Sequence, residues 1–181
     1  VRPVRDVEDK IRPEYARGFY HVSEDGLFSQ VIIFEYLDQD LYYSSLAEDE
    51  LEEELELLRE GMNEVLREER VLINGKEVRP RVISVGISYP LGKQRPNVTF
   101  VVQFRAELEK DNSYENLYES TVADYGYEAY WIFPPKTQIV EIQASGKIEK
   151  LAKNVIRILS HKGMKVEGYE MIRFKFPELL I

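Results

Sequence analysis

The sequence predicts an α+β fold, largely antiparallel β-sheet or sandwich, with one helix over about 46–69 and a second over about 146–162. Three observations predict it. Most apolar stretches alternate at period two, as strands do. Turn-forming residues such as Asn74-Gly75 and Pro134-Pro135 punctuate them. Runs of adjacent strands with few helices between them are the pattern of α+β rather than alternating α/β folds.

Residues 1–17 alternate charges with Pro3 and Pro13 and show no period, which predicts an N-terminal arm. Phe19 to Val22 reads as a short strand and Ser23 to Gly26 as a turn, with Gly26 supplying a positive φ. From Phe28 to Leu37 both alternating sets, Phe28-Gln30-Ile32-Phe34-Tyr36 and Val31-Ile33-Glu35-Leu37, are largely apolar. A strand buried on both sides has this character.

Leu51, Leu55, Leu58, Met62 and Val65 follow one another at spacings of four and three, so all five share one helical stripe. Ser45 and Glu48 are placed as a capping box at its start, and Glu48-Asp49-Glu50 suits the helix dipole. Val71 to Val78 predicts a hairpin turning at Asn74-Gly75, a pair suited to a type I′ turn. Arg81 to Tyr89 follows as a strand with Ile83, Val85, Ile87 and Tyr89 on one face. The loop Pro90 to Pro96 is the alternative domain boundary within what otherwise reads as one domain, 1–181. Val98 to Leu108 alternates as a long strand with one wet side, and Glu109 to Asn116 reads as a polar loop.

Five aromatics fall within Asp124 to Pro135. At period two, Ala123, Tyr125, Tyr127, Ala129, Trp131 and Phe133 share one face, and Asp124, Gly126, Glu128, Tyr130 and Ile132 the other. Thr137 to Gln143 is expected to pair back on this strand. Gly146 to Lys162 reads as a helix with Ser145 as its cap and Gly163 at its end. A short strand over Asn154 to Leu159 is the competing reading. Lys165 to Phe176 closes the chain as a strand.

With 181 residues, 44% hydrophobic and 31% charged, the chain can bury a core without staples. The net charge of -9, with no cluster of Lys and Arg, argues against nucleic acid and anionic membrane surfaces as partners. No apolar run reaches the ~18 residues of a membrane-spanning helix. The absence of cysteine excludes disulfides, thiol catalysis and thiolate metal sites. The richness in Glu, Lys and Arg leans toward a thermophile's ion-paired surface.

Candidate chemistry is sparse. No nucleotide-binding, hydrolase or metalloprotease motif is present, and His21 and His161 stand far apart. The row Tyr125, Tyr127 and Trp131 reads first as core and second as a ligand platform, because each ring offers an apolar body with a polar tip. Asp38 with Asp40, and Glu109 with Asp111 beside Glu107 and Asn112, supply oxygen ligands for Ca²⁺ or Mg²⁺; no other cofactor is expected. Asn97-Val98-Thr99 is a glycosylation sequon. The missing motifs, the strand-dominated pattern, the sequon and the start at Val1 together predict a non-catalytic interaction or assembly module, and the apolar ending Phe176 to Ile181 fits either a cut before a membrane anchor or a last segment tucked into the core. The module's setting would be a larger, membrane-anchored, extracytoplasmic protein, with a protein partner or self-association. The alternative is a cytosolic protein binding a small ligand or divalent cation, or a carboxylate-based enzyme.

Overall fold

The computed structural model describes residues 11–177. In chain order the elements are β1 (Ile11–Val22), β2 (Leu27–Asp38), α1 (Tyr42–Ser45), α2 (Glu48–Glu68), β3 (Arg70–Ile73), β4 (Lys76–Val78), β5 (Arg81–Ser88) and β6 (Asn97–Arg105). They continue as β7 (Asp111–Leu117), β8 (Thr121–Val122), β9 (Gly126–Ile132), β10 (Gln138–Gln143), β11 (Lys147–Ala152), β12 (Val155–Ser160), β13 (Lys165–Val166) and β14 (Tyr169–Lys175). A seven-stranded sheet has the order β11-β12-β9-β1-β2-β6-β5, and a five-stranded sheet the order β10-β14-β7-β3-β4. Strands β8 and β13 form a small ribbon. Among the described residues every strand pair is antiparallel except β1 with β9. The expected α+β architecture, mostly antiparallel sheet with one long helix, is the observed one.

Helix α2 buries Leu58 and Met62 from its apolar stripe. Its N-cap is Ala47 rather than Ser45, and only half of a capping box forms: the Ala47 amide donates to the Glu50 carboxylate at 2.8 Å. The Asn74-Gly75 turn has φ of 51° and 74°, as a type I′ hairpin requires.

Several expectations are corrected. Residues 11–17 belong to β1 and pair with β2, so only residues outside the described range remain for an arm. The loop at 90–96 joins two neighbouring strands of one sheet, β5 and β6. The expected polar loop from Glu109 is strand β7 from Asp111 onward, where Asn112, Tyr114 and Asn116 are buried. The β10 segment pairs with β14, not with β9. A bulge between Val82 and Ser84 moves β5 half a period, so Val82 is buried and Ile83 is 49% exposed.

The second helix is replaced by the β11–β12 hairpin. Its apolar residues fit both periods, and tertiary pairing decides between them. Against β9, Ile156 and Ile158 become fully buried, whereas Ile148 and Leu151 of the supposed helical face stay exposed. Gly146 is required where this hairpin begins: its φ is 115°, and a Cβ there would stand 2.5 Å from the Leu159 carbonyl oxygen. Ser145 caps no helix; its hydroxyl accepts from the Glu167 amide at 2.9 Å.

The seven-stranded sheet has one dry face and one charged face. On the charged face an ion-pair ladder crosses five adjacent strands. Glu149 of β11 pairs with Arg157 of β12 at 2.6 Å, Arg157 with Glu128 of β9 at 3.6 Å, and Glu128 with Arg17 of β1 at 3.4 Å. Arg17 then pairs with Glu35 of β2. The signs alternate strand by strand, as stable cross-strand pairing demands.

The dry face is covered by two different layers. Helix α2 packs over Ile32, Phe34, Tyr36, Val98, Phe100 and Val102. The five-stranded sheet packs Val71, Ile73, Tyr114, Ile172 and Phe174 onto Val22, Phe28, Trp131, Phe133, Ile156 and Ile158. Residues removed from the first of these clusters are therefore felt. Phe34→Ala is expected to cost about 3–5 kcal/mol in urea denaturation. Ile83→Ala, at the position the bulge turns outward, is expected to change stability by less than about 1 kcal/mol.

Candidate functional site: a cavity between the two covering layers

The two buried clusters divide the inner face of the large sheet along a seam. On β2, Phe28 belongs to the second sheet's cluster and Ile32 to the helix's, and Gln30 falls between them. On β1, Ala16 packs under the helix and Tyr20 under the second sheet, with Gly18 between. On β9, Tyr127 lies on the helix side, with Tyr125 just before the strand, and Ala129 and Trp131 lie on the other. The seam is thus floored by small residues, with Gly18 and Ala129 directly paired in the sheet.

Above this floor is a cavity of about 450 Å³. That is within the range of small-molecule sites. Met62, Val65 and Leu66 of α2 form one wall, and Tyr114, Asn116, Tyr118 and Glu170 the other. Glu68, Glu119, Val122 and Asp124 line it too and are exposed, which places the mouth between the end of α2 and the β8 segment.

The aromatic wall is rigid. The Trp131 ring stacks on Tyr20 at 4.8 Å and 16°, and meets Tyr114 at 4.5 Å. Tyr20 can lie there because residue 18 is glycine: a Cβ at Gly18 would fall 2.6 Å from the Tyr20 ring. Burial raises the pKa values of Tyr20, Tyr114, Tyr118 and Tyr127 above that of a free phenol, so these hydroxyls stay protonated at neutral pH.

The polar groups sit together on the second sheet. Asn116 of β7 is paired across the sheet with Glu170 of β14 and with Val71 of β3. Its Nδ2 donates to Glu69, the residue that links α2 to β3, at 2.9 Å. Its Oδ1 is buried without a hydrogen-bond partner among the described residues. The Trp131 Nε1 donates to Glu170 Oε1 at 3.1 Å. Burial pushes the Glu170 carboxyl up to about 7, opposed by the Trp131 hydrogen bond and reinforced by the Glu69 charge. From the large sheet, Gln30 also lines the cavity and is only 6% exposed.

The structure brings Tyr125, Tyr127 and Trp131 to this one cavity. Trp131 is at once 1% exposed, inside the core, and part of the cavity wall. The carboxylates considered for a cation are scattered. Asp38 is fully buried, and its two oxygens accept from the Tyr42 and Tyr43 amides at 2.9 and 3.0 Å, starting α1. Asp40 is exposed in the turn beyond. Asp111 pairs with Lys175 at 2.9 Å, and the amide of the exposed Glu109 donates to Asn112 at 2.7 Å. Among the described residues no three His, Asp or Glu side chains gather as a cation site.

Gln30, Glu69, Asn116 and Glu170 were not singled out from the sequence. A signal existed for one of them. Glu170 shares the inward side of its strand with Ile172 and Phe174, a polar residue in the core's place, whereas Gln30 and Asn116 stand on strands that bury a second polar residue, Asp38 and Asn112.

No family model matches the chain, and no curated protein matches it in sequence. Among solved structures, the NMR structure of the folded domain of LppM from Mycobacterium tuberculosis is similar over 96% of each chain, with a TM-score of 0.45 and 11% identity. At that level of likeness it fixes neither a family nor a function for this chain. Among the described residues no helix is long and apolar enough to cross a membrane.

The raised pKa of Glu170 carries a sign. Its folded value, about 7, lies above an ordinary carboxyl near 4.3, so the folded state holds a proton that the unfolded state has released. Glu170 therefore lowers stability as pH rises from about 4.5 to about 7, with no further change above. Glu170→Gln is expected to gain on the wild type over that window, on the order of 2 kcal/mol, when urea denaturation is compared at pH 5 and pH 8. Parallel pH dependences in the two proteins would place the Glu170 carboxyl in ordinary solvent.

Proposed function

We propose that this chain is a small-ligand-binding module, and that the ligand enters the cavity between α2 and the second sheet. One observation carries the reading: the Asn116 Oδ1, a buried polar atom without a hydrogen-bond partner among the described residues, borders an open volume within the core that the buried Gln30 also lines. Empty space between layers forfeits dispersion contacts, and an unpaired buried amide costs about 1–3 kcal/mol. A ligand that fills the volume and pairs with that oxygen offsets both. The expected platform of Tyr125, Tyr127 and Trp131 is part of this site.

A carboxylate-based enzyme is the second reading, favoured by Glu170, whose carboxyl titrates near neutrality as a general acid or base does. A role as the interaction module of a larger cell-surface protein is compatible with either reading and would use the outer surfaces.

Trp131 is the sole tryptophan and lies in the wall, so its emission reports occupancy directly. Screening metabolite-like compounds by Trp131 fluorescence and melting temperature is expected to find saturable ligands that raise both together. Ala129→Leu adds bulk on the cavity floor. It is expected to keep the fold and weaken those ligands by tenfold or more. Ligands whose affinity is unchanged in Ala129→Leu bind elsewhere and would overturn the reading.

A further inference from the structure

We propose that the cavity's ligand is a protonated amine on an apolar or aromatic body, with its ammonium held by Glu69, Glu170 and Asn116. This rests on the cavity being a ligand site.

The argument is one of unused hydrogen-bonding capacity. Two donors on this wall are engaged by its own carboxylates: Asn116 Nδ2 donates to Glu69, and Trp131 Nε1 to Glu170. Beside them stand unused acceptors. Asn116 is 9% exposed and its Oδ1 has no partner among the described residues, and each carboxylate has a second oxygen beyond those bonds. An ammonium brings three donors and no acceptor, the complement of that set. A carboxylate or phosphate would meet two carboxylates, Glu69 and Glu170, on that wall.

The surrounding charge agrees. Among the described residues lining the cavity Arg17 is the one basic residue, and its guanidinium pairs with Glu35 and Glu128 on the charged face of the sheet. The exposed residues at the mouth include Glu68, Glu119 and Asp124, which favour entry of a cation. Tyr20, Tyr114 and Trp131 supply ring faces within the same wall, where a cation is further stabilised.

Binding is then linked to pH. The groups facing Glu170 among the described residues are Trp131 and Tyr127 from β9, Glu69 from the α2–β3 junction, Tyr20 from β1, Tyr114 from β7, and Tyr118 just after it. The tyrosines keep their protons, so Glu170 is the group that titrates near neutrality, and an amine binds best once it has lost its proton. Affinity for the amine should rise between pH 6 and pH 8, while that for a neutral compound should not.

The test is a charge series of near-constant shape: 2-phenylethylammonium, 2-phenylethanol and phenylacetate, each titrated by calorimetry and by Trp131 emission at pH 6 and pH 8. The ammonium is expected to bind roughly tenfold or more tighter than the alcohol at pH 8, with phenylacetate weakest. Its advantage should shrink at pH 6, and fall to about threefold or less in Glu170→Gln. That variant keeps an acceptor for Trp131 Nε1; Glu69→Gln provides the same comparison from the other side. If the alcohol or phenylacetate binds as tightly as the ammonium, the amine proposal is overturned and the cavity remains a ligand site. If no member of the series alters Trp131 emission or melting temperature at millimolar concentration, both the amine proposal and the cavity's role fall.

Discussion

The dry face of the seven-stranded sheet is too broad for any one layer to cover. Six gaps of about 4.8 Å make it about 29 Å wide, and a helix with its side chains is only about 10–12 Å across. Covering that face therefore takes two layers of different shape, and the protein uses α2 on one side and the five-stranded sheet on the other. A cylinder and a twisted sheet do not meet flush on a third twisted surface. The cavity is where they fail to meet. Both clusters, the position of the seam and the site itself follow from this one mismatch.

The residues along the seam preserve the gap. A larger side chain at position 129 would fill it, but the residue is alanine, beside Gly18 in the sheet, where the Tyr20 ring takes the space over the glycine. Gly18 also lets the Tyr20 ring fold flat against Trp131 instead of projecting into the volume. On the opposite wall the apolar rows Ile172 and Tyr114 continue as Glu170 and Asn116. The second sheet thus turns from core to polar surface as it reaches the seam. Its polar groups are held by partners on different elements, Glu69 by Asn116 and Glu170 by Trp131, so their geometry depends on the packing of all the layers.

Much of this was legible in the sequence. The α2 stripe, the Asn74-Gly75 turn and the alternation of β2 and β6 are local signals, strong enough that packing only confirms them. The Gly146 to Lys162 segment was not decided locally. Its spacing satisfies both periods, and the choice was made by β9, which offers Ile156 and Ile158 a buried edge. The β5 bulge is equally silent, since one extra residue reverses Ile83 and Val82 without changing the composition. For the site, the aromatic row named three lining residues. The polar half was hidden, because Glu69, Asn116 and Glu170 lie on elements far apart in the chain and meet only through the order β14-β7-β3.

The two readings of the aromatic row, core and platform, are not exclusive, and Trp131 shows why. It fastens the two sheets through Tyr20, Tyr114 and Phe133, and the same indole closes the cavity and holds Glu170 by its N–H. Occupancy of the cavity and stability of the sandwich are therefore coupled through one side chain. Truncating it would remove both and distinguish neither. Substitutions that change charge at Glu170, or volume at Ala129, leave the packed indole in place. They separate what the cavity binds from what holds the fold together.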